Sequence, residues 1–228
     1  MTIVFPRPMP STGVGSQVFE PQQVAYETAE AGGDSYGIGA GFPRWQAQWS
    51  LASGISPRQS DDWRAFLASL KGSMRTFLGR DFERPFPRLY GQGFGGMSRA
   101  AGGAFDGSLT TWSQAMTGDG QALLSLTGLP AGFVLSQGDY ADFRWLTGGV
   151  ERRTLVRALV DATADGSGAI SAVSVEPPVP TLTPGTAVAH LDNPACVMRL
   201  TSSQTQVSDM DRRRVAGATI VALQDLHK

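Results

Sequence analysis

The sequence predicts a mainly β protein with one principal α-helix. Three observations carry that reading. The 28 glycines and 14 prolines make up about 18% of the 228 residues, against about 12% in average usage. Apolar residues fall in many short runs bounded by turn residues, and one stretch alone has clear helical periodicity. Charged residues reach only 17% while apolar ones reach 41%, which is enough for a packed core and argues against disorder.

The elements follow in chain order. Residues 1–22 are rich in Pro, Gly, Ser and Gln and read as an extended leading segment, with a short strand from Val18 to Ala25. Ala31–Gly41 is glycine-dense and reads as a turn region. In Trp45–Leu51 the apolar Trp45, Ala47, Trp49 and Leu51 alternate with Gln46, Gln48 and Ser50, the period-two pattern of a half-buried strand. The helix follows. Ser60 is expected to cap it and Asp61 and Asp62 to sit at the positive end of its dipole. Trp63, Phe66, Leu67 and Leu70 form its apolar stripe, and Gly72 predicts a stop near Lys71. A strand is expected over Met74–Leu78.

Residues 79–107 lose regularity. Arg80–Arg88 is a charged, proline-bound connector, and the glycine-rich Gly91–Gly103 reads as a flexible loop, a hinge or a domain boundary. Beyond it, Ala122–Leu126, Tyr140–Leu146, Leu155–Asp161, Ala169–Glu176 and Ala187–Leu191 are strand candidates at a spacing that suits a small barrel or sandwich. Asp165–Gly168 is a tight turn. Glu176–Pro180 must leave the sheet, because proline cannot donate to a ladder. Cys196–Leu200 and Val215–Leu223 are expected as the last strands, joined by the polar Asp209–Arg214.

No constellation of catalytic residues stands out. Gly91–Gly96 lacks the preceding strand and following helix that a phosphate-binding glycine loop needs. The pairs Asp61/Asp62 and Asp209/Asp211 are close in sequence, which is no evidence for carboxylates facing each other across a cleft. His190 reads as a packed or rim histidine. One cysteine, Cys196, excludes an intrachain disulfide, and two histidines 37 residues apart give no metal-ligand spacing. No enzyme activity, cofactor or metal is therefore expected. A formal charge of −1 excludes a basic protein that coats nucleic acid, although Arg212, Arg213 and Arg214 form a dense basic spot, read as an interface loop. Trp45, Trp49, Trp63, Phe66, Leu67 and Leu70 are assigned to core or ring packing. That leaves Trp112 and Trp145 as candidates for an exposed binding face. A carbohydrate-binding module for host-surface glycans is the alternative function they would serve. Neither a signal peptide nor a membrane span is read, so synthesis and folding in a cytoplasm are expected.

Several short patterns, taken in order, resemble one family. They are Phe5-Pro6, the strand Trp45–Leu51, the helix segment Asp62–Gly72, Gly128-Leu-Pro130, Gly138-Asp-Tyr140, Asp161–Gly168, Glu176-Pro-Pro178 and Met198-Arg-Leu200. In this order the chain resembles the distal tail proteins of long-tailed bacteriophages and related gene-transfer particles. The resemblance implies a β-sandwich-like, ring-forming belt domain from residues 1–90 with 195–228, and an inserted peripheral β-barrel or sandwich domain at 91–194. It also implies a homo-hexameric ring at the tail tip of a virion, assembled in the host cytoplasm and joining the tail tube to the hub or baseplate. DNA would be cargo through its channel. A subunit surrounded by neighbours would account for the low charge content, since interfaces between identical subunits are more apolar than ordinary surface.

Overall fold

A computed structural model describes residues 2–29, 35–201, 205, 210–211, 214–215 and 218–226. The protein is mainly β, with a single α-helix among the described residues. The first third holds β1 (Arg7–Pro8), β2 (Val14–Ala29), β3 (Ser35–Leu51), α1 (Pro57–Leu70) and β4 (Phe77–Arg80). Then come β5 (Thr111–Met116), β6 (Ala122–Thr127), β7 (Val134–Leu135), β8 (Tyr140–Thr147), β9 (Val150–Ala158), β10 (Ala162–Thr163), β11 (Ala169–Glu176) and β12 (Val188–His190). The chain closes with β13 (Ala195–Leu200), β14 (Met210–Asp211), β15 (Arg214–Val215) and β16 (Thr219–Gln224).

Two six-stranded sheets organise these elements. The first has the order β1-β4-β13-β16-β3-β2, and the second β12-β8-β9-β11-β6-β5. The second curls until its ends meet: Ser108 bridges His190, and the Leu109 amide donates to the Ala189 carbonyl at 2.8 Å. Its interior is filled by Leu124, Leu126, Phe143, Val156 and Val175 of its strands and by Phe133, and β6 alternates buried and half-buried residues as a barrel demands.

The first sheet is covered on one face by α1. Trp45, Ala47, Trp49 and Leu51 are buried as their alternation predicts, against Trp63, Phe66 and Leu70 of the helix. Leu67 is half-buried at the edge of that cluster. Two residues of the second sheet, Tyr140 and Leu155, are buried in the same core. The layer facing the first sheet is thus part helix and part barrel.

The helix begins one turn earlier than expected. Ser56, not Ser60, is the cap: its hydroxyl accepts from the Gln59 amide while the Gln59 side chain accepts from the Ser56 amide, and Pro57 takes the first helical position. This Ser-Pro-x-Gln pattern is a capping box with proline where its missing N–H costs nothing. Ser60 lies buried inside the helix. The stop is where glycine placed it, with Lys71 in the left-handed region at φ 51 and Gly72 following at φ 66. Arg75 donates to the Ser69 carbonyl in the last turn, a cation from outside the helix at its negative end. Arg7 donates to the Ala65 carbonyl, and Arg199 to that of Ser73 in the loop that follows.

Other boundaries moved. Met74 lies in the loop after the helix, and the strand expected there begins at Phe77. Residues 35–41 belong to β3 rather than to a turn, and the strand expected over Val18–Ala25 runs from Val14 to Ala29. No single strand spans Val215–Leu223: β15 ends at Val215 and β16 starts at Thr219. Leu155–Asp161 ends early, at Ala158, and Thr111–Met116 was not anticipated.

Candidate functional site

The free side of β2 is the most distinctive surface. Among the described residues only β3 pairs with β2, from Val14↔Leu51 to Ala29↔Ser35. β16 supports β3 only over Gln46–Ser50. From Gln22 outward, β2 and β3 therefore run on as a ribbon of two strands with Tyr26 65% exposed and Phe42 38% exposed. An isolated two-stranded ribbon is marginal in water, and an unpaired edge is a template for another strand.

At the base of that edge lies a cleft of about 570 Å³ between the two sheets, bordered by Gln17–Glu20, by Asp81 and Arg84, and by Tyr140 and Arg157. Asp81 organises it. Its carboxylate accepts from the Gln17 side-chain amide, from the Glu83 backbone amide at 2.8 Å and from the Tyr140 hydroxyl at 3.1 Å. Burial, and next the charge of Asp81, push the Tyr140 hydroxyl well above its ordinary range. Arg157 pairs with Glu20 at 2.7 Å and lies over the Trp45 ring at 5.6 Å. Arg84 donates to the Gly138 carbonyl at 2.8 Å.

A buried knot ties the sheets together beside the cleft. Asp142 on β8 is fully buried and accepts from Arg144 at 3.0 Å, from Arg153 at 3.2 Å and from the backbone amide of Ala195, the first residue of β13, at 3.2 Å. Burial, only partly offset by the two arginines, pushes its carboxyl up to about 6. Trp45 donates to the Leu155 carbonyl at 2.7 Å, and Gln224 to the Thr154 hydroxyl at 3.4 Å. Cys196 is buried nearby, and burial raises its thiol well above the usual range. It is poorly placed to react as a thiolate.

The sequence-predicted residues fall as follows. Trp45, Trp49, Trp63, Phe66 and Leu70 are in the core. Trp112 and Trp145 do not form an open aromatic face. Trp112 is half-buried, donates to the Ala187 carbonyl at 2.7 Å and meets Phe143 edge-on at 4.6 Å; Trp145 is half-buried against the barrel core and donates to Thr147. Arg212 and Arg213 lie outside the described residues, as does the side chain of Arg214. His190 is half-buried and bonded to Asp192 at 3.0 Å.

Gly91–Gly103 is not a free hinge. Phe94 is buried against Phe105, with Phe86 and Tyr90 alongside, and Arg99 donates to the carbonyls of Ser108 and Gly128, both at 2.7 Å. Aromatic burial among the glycines supplies what the glycine count obscured. Among the described residues no group of three or more His, Cys, Asp or Glu side chains is placed to hold a metal ion, and no helix is long and apolar enough to cross a membrane. No protein-family model matches the chain, and no curated protein is similar to it. The β2 edge and its cleft were not legible in the sequence, because edge position is set by strand order rather than by composition.

Proposed function

We propose that the chain is a structural subunit of a phage-type tail tip, a homo-oligomeric, hexameric ring adaptor between the tail tube and the hub, with DNA as cargo through the ring. The observation that carries this reading is the long β2 edge, with its ribbon extending past the rest of the sheet. A chain that folds alone has reason to cover such an edge; a ring subunit uses it. The ordered resemblance of the sequence to distal tail proteins supports the same reading. The inter-sheet knot around Asp142 suits it too, since an adaptor must pass force between two faces without hinging.

Mass photometry across a wide concentration range tests it. Closed rings of six copies, visible as rings in negative-stain or cryo-electron micrographs and able to join tail components, are the expected result. A monomer at every concentration, inert toward tail components, would sink the reading.

A further inference from the structure

We propose that the cleft along the free edge of β2 accepts an added strand from a second copy of this chain, and that this strand is the segment Thr2-Ile3-Val4. The inference rests on the ring reading above and names the contact that would close the ring.

The acceptor is defined by shape. At Gln17–Glu20 the unpaired side of β2 opens on the cleft whose far wall includes Asp81, Arg84 and Arg157. Three residues of strand, at ordinary rise, strand and sheet spacings, fill about 480 Å³, which the cleft can hold. The cleft measures about 570 Å³. Strand addition draws its affinity from backbone hydrogen bonds along such an edge and its specificity from alternate side chains. Val18, 58% exposed, offers the apolar side chain.

The donor is defined by composition and place. Thr2, Ile3 and Val4 form a β-branched run, the residue type that best fits a pleated surface. Ile3 is 48% and Val4 77% exposed, and among the described residues no ladder pairs either. They stand just before β1, at the opposite edge of the same sheet from β2. Head-to-tail repetition brings one copy's β1 edge to the next copy's β2 edge, the heterologous contact a cyclic ring requires. Charge does not oppose it: residues 2–4 carry no charged side chain, and Glu20 and Arg157 at the cleft pair with each other.

The test uses the full chain with Val4→Cys and Val18→Cys together. Native Cys196 is buried and does not compete. Mild oxidation should give a ladder of disulfide-linked multimers that neither single variant gives, and deletion of residues 2–4 should weaken ring assembly at least tenfold. Rings that form without the Val4–Val18 cross-link and tolerate the deletion would overturn the arm while leaving the ring reading intact; a cross-link only to a hub or tube protein would replace the occupant. A wild-type chain that stays monomeric would overturn both.

Discussion

The second sheet meets itself where Ser108 bridges His190, whereas the first stops at β1 on one side and at β2 on the other. Both are six-stranded, and both bury large aromatics. The barrel's end strands are joined by that bridge and by the Leu109–Ala189 bond. The first sheet borrows twice: Tyr140 and Leu155 of the barrel complete its core, and its free edge remains available. The closed sheet buttresses the open one, whose β2 edge is unpaired among the described residues. The bond from Trp45 to the Leu155 carbonyl and the Asp142 knot join the two.

The largest expected effect tests that connection. Trp45→Ala removes a fully buried ring stacked on Phe19 at 5.0 Å and edge-on to Tyr140 at 5.6 Å. It should cost about 3–5 kcal/mol in denaturant unfolding. If the sheets are one unit, amide exchange at Leu124 in the barrel should accelerate with that at Trp49. Acceleration at Trp49 alone would break the comparison into two independent domains.

Asp142→Asn sharpens it through pH. Burial raises the folded carboxyl from the usual 3.8 to about 6, so the fold binds a proton more tightly than the unfolded chain does. The resulting stabilisation is full below about 4 and is lost as pH rises through about 6. Two units correspond to about 3 kcal/mol. Wild type should therefore gain that amount relative to the variant between pH 7 and pH 4, read from paired urea midpoints. A difference that does not change with pH would mean that Arg144 and Arg153 balance burial, and a loss on acidification that they outweigh it.

Glycines separate barrel from ribbon on a smaller scale. Gly168, at φ 77, sits where a Cβ would be driven into the Leu129 carbonyl oxygen. Gly41 on the ribbon has a similar φ of 79 and open space around it. Gly168→Ala should cost about 2–3 kcal/mol and Gly41→Ala about 1–2 kcal/mol, measured as the difference in unfolding free energy. Equal costs would mean that the turn before β11 relaxes freely.

How far the sequence reached follows the same division. Trp45–Leu51 and most barrel strands were legible because one face is buried, so apolar residues alternate. The ribbon was not: Gly37, Gly39 and Gly41 are exposed, have no core to pack against, and read as a turn. β5 was missed because its residues are mostly exposed and carry no apolar period. Asp142 sits inside an apolar strand segment, and nothing local says that two arginines and a distant backbone amide converge on it. The cleft combines Gln17, Asp81, Tyr140 and Arg157, residues that only the topology brings together.

The smallest effect belongs to the helix cap, where two serines four residues apart compete for one role. Ser56 and Gln59 exchange side-chain and backbone bonds, so Ser56→Ala should cost about 1 kcal/mol. Ser60 is in the second turn, where its own amide already donates to the Ser56 carbonyl at 3.0 Å. Alanine is the better helix former there, so Ser60→Ala should stay within about 0.5 kcal/mol of wild type. Thermal midpoints of the two variants decide the matter. A larger loss at Ser60 would move the start of α1 to the Asp61-Asp62 pair and shorten the layer that α1 lays over Trp49 and Phe77.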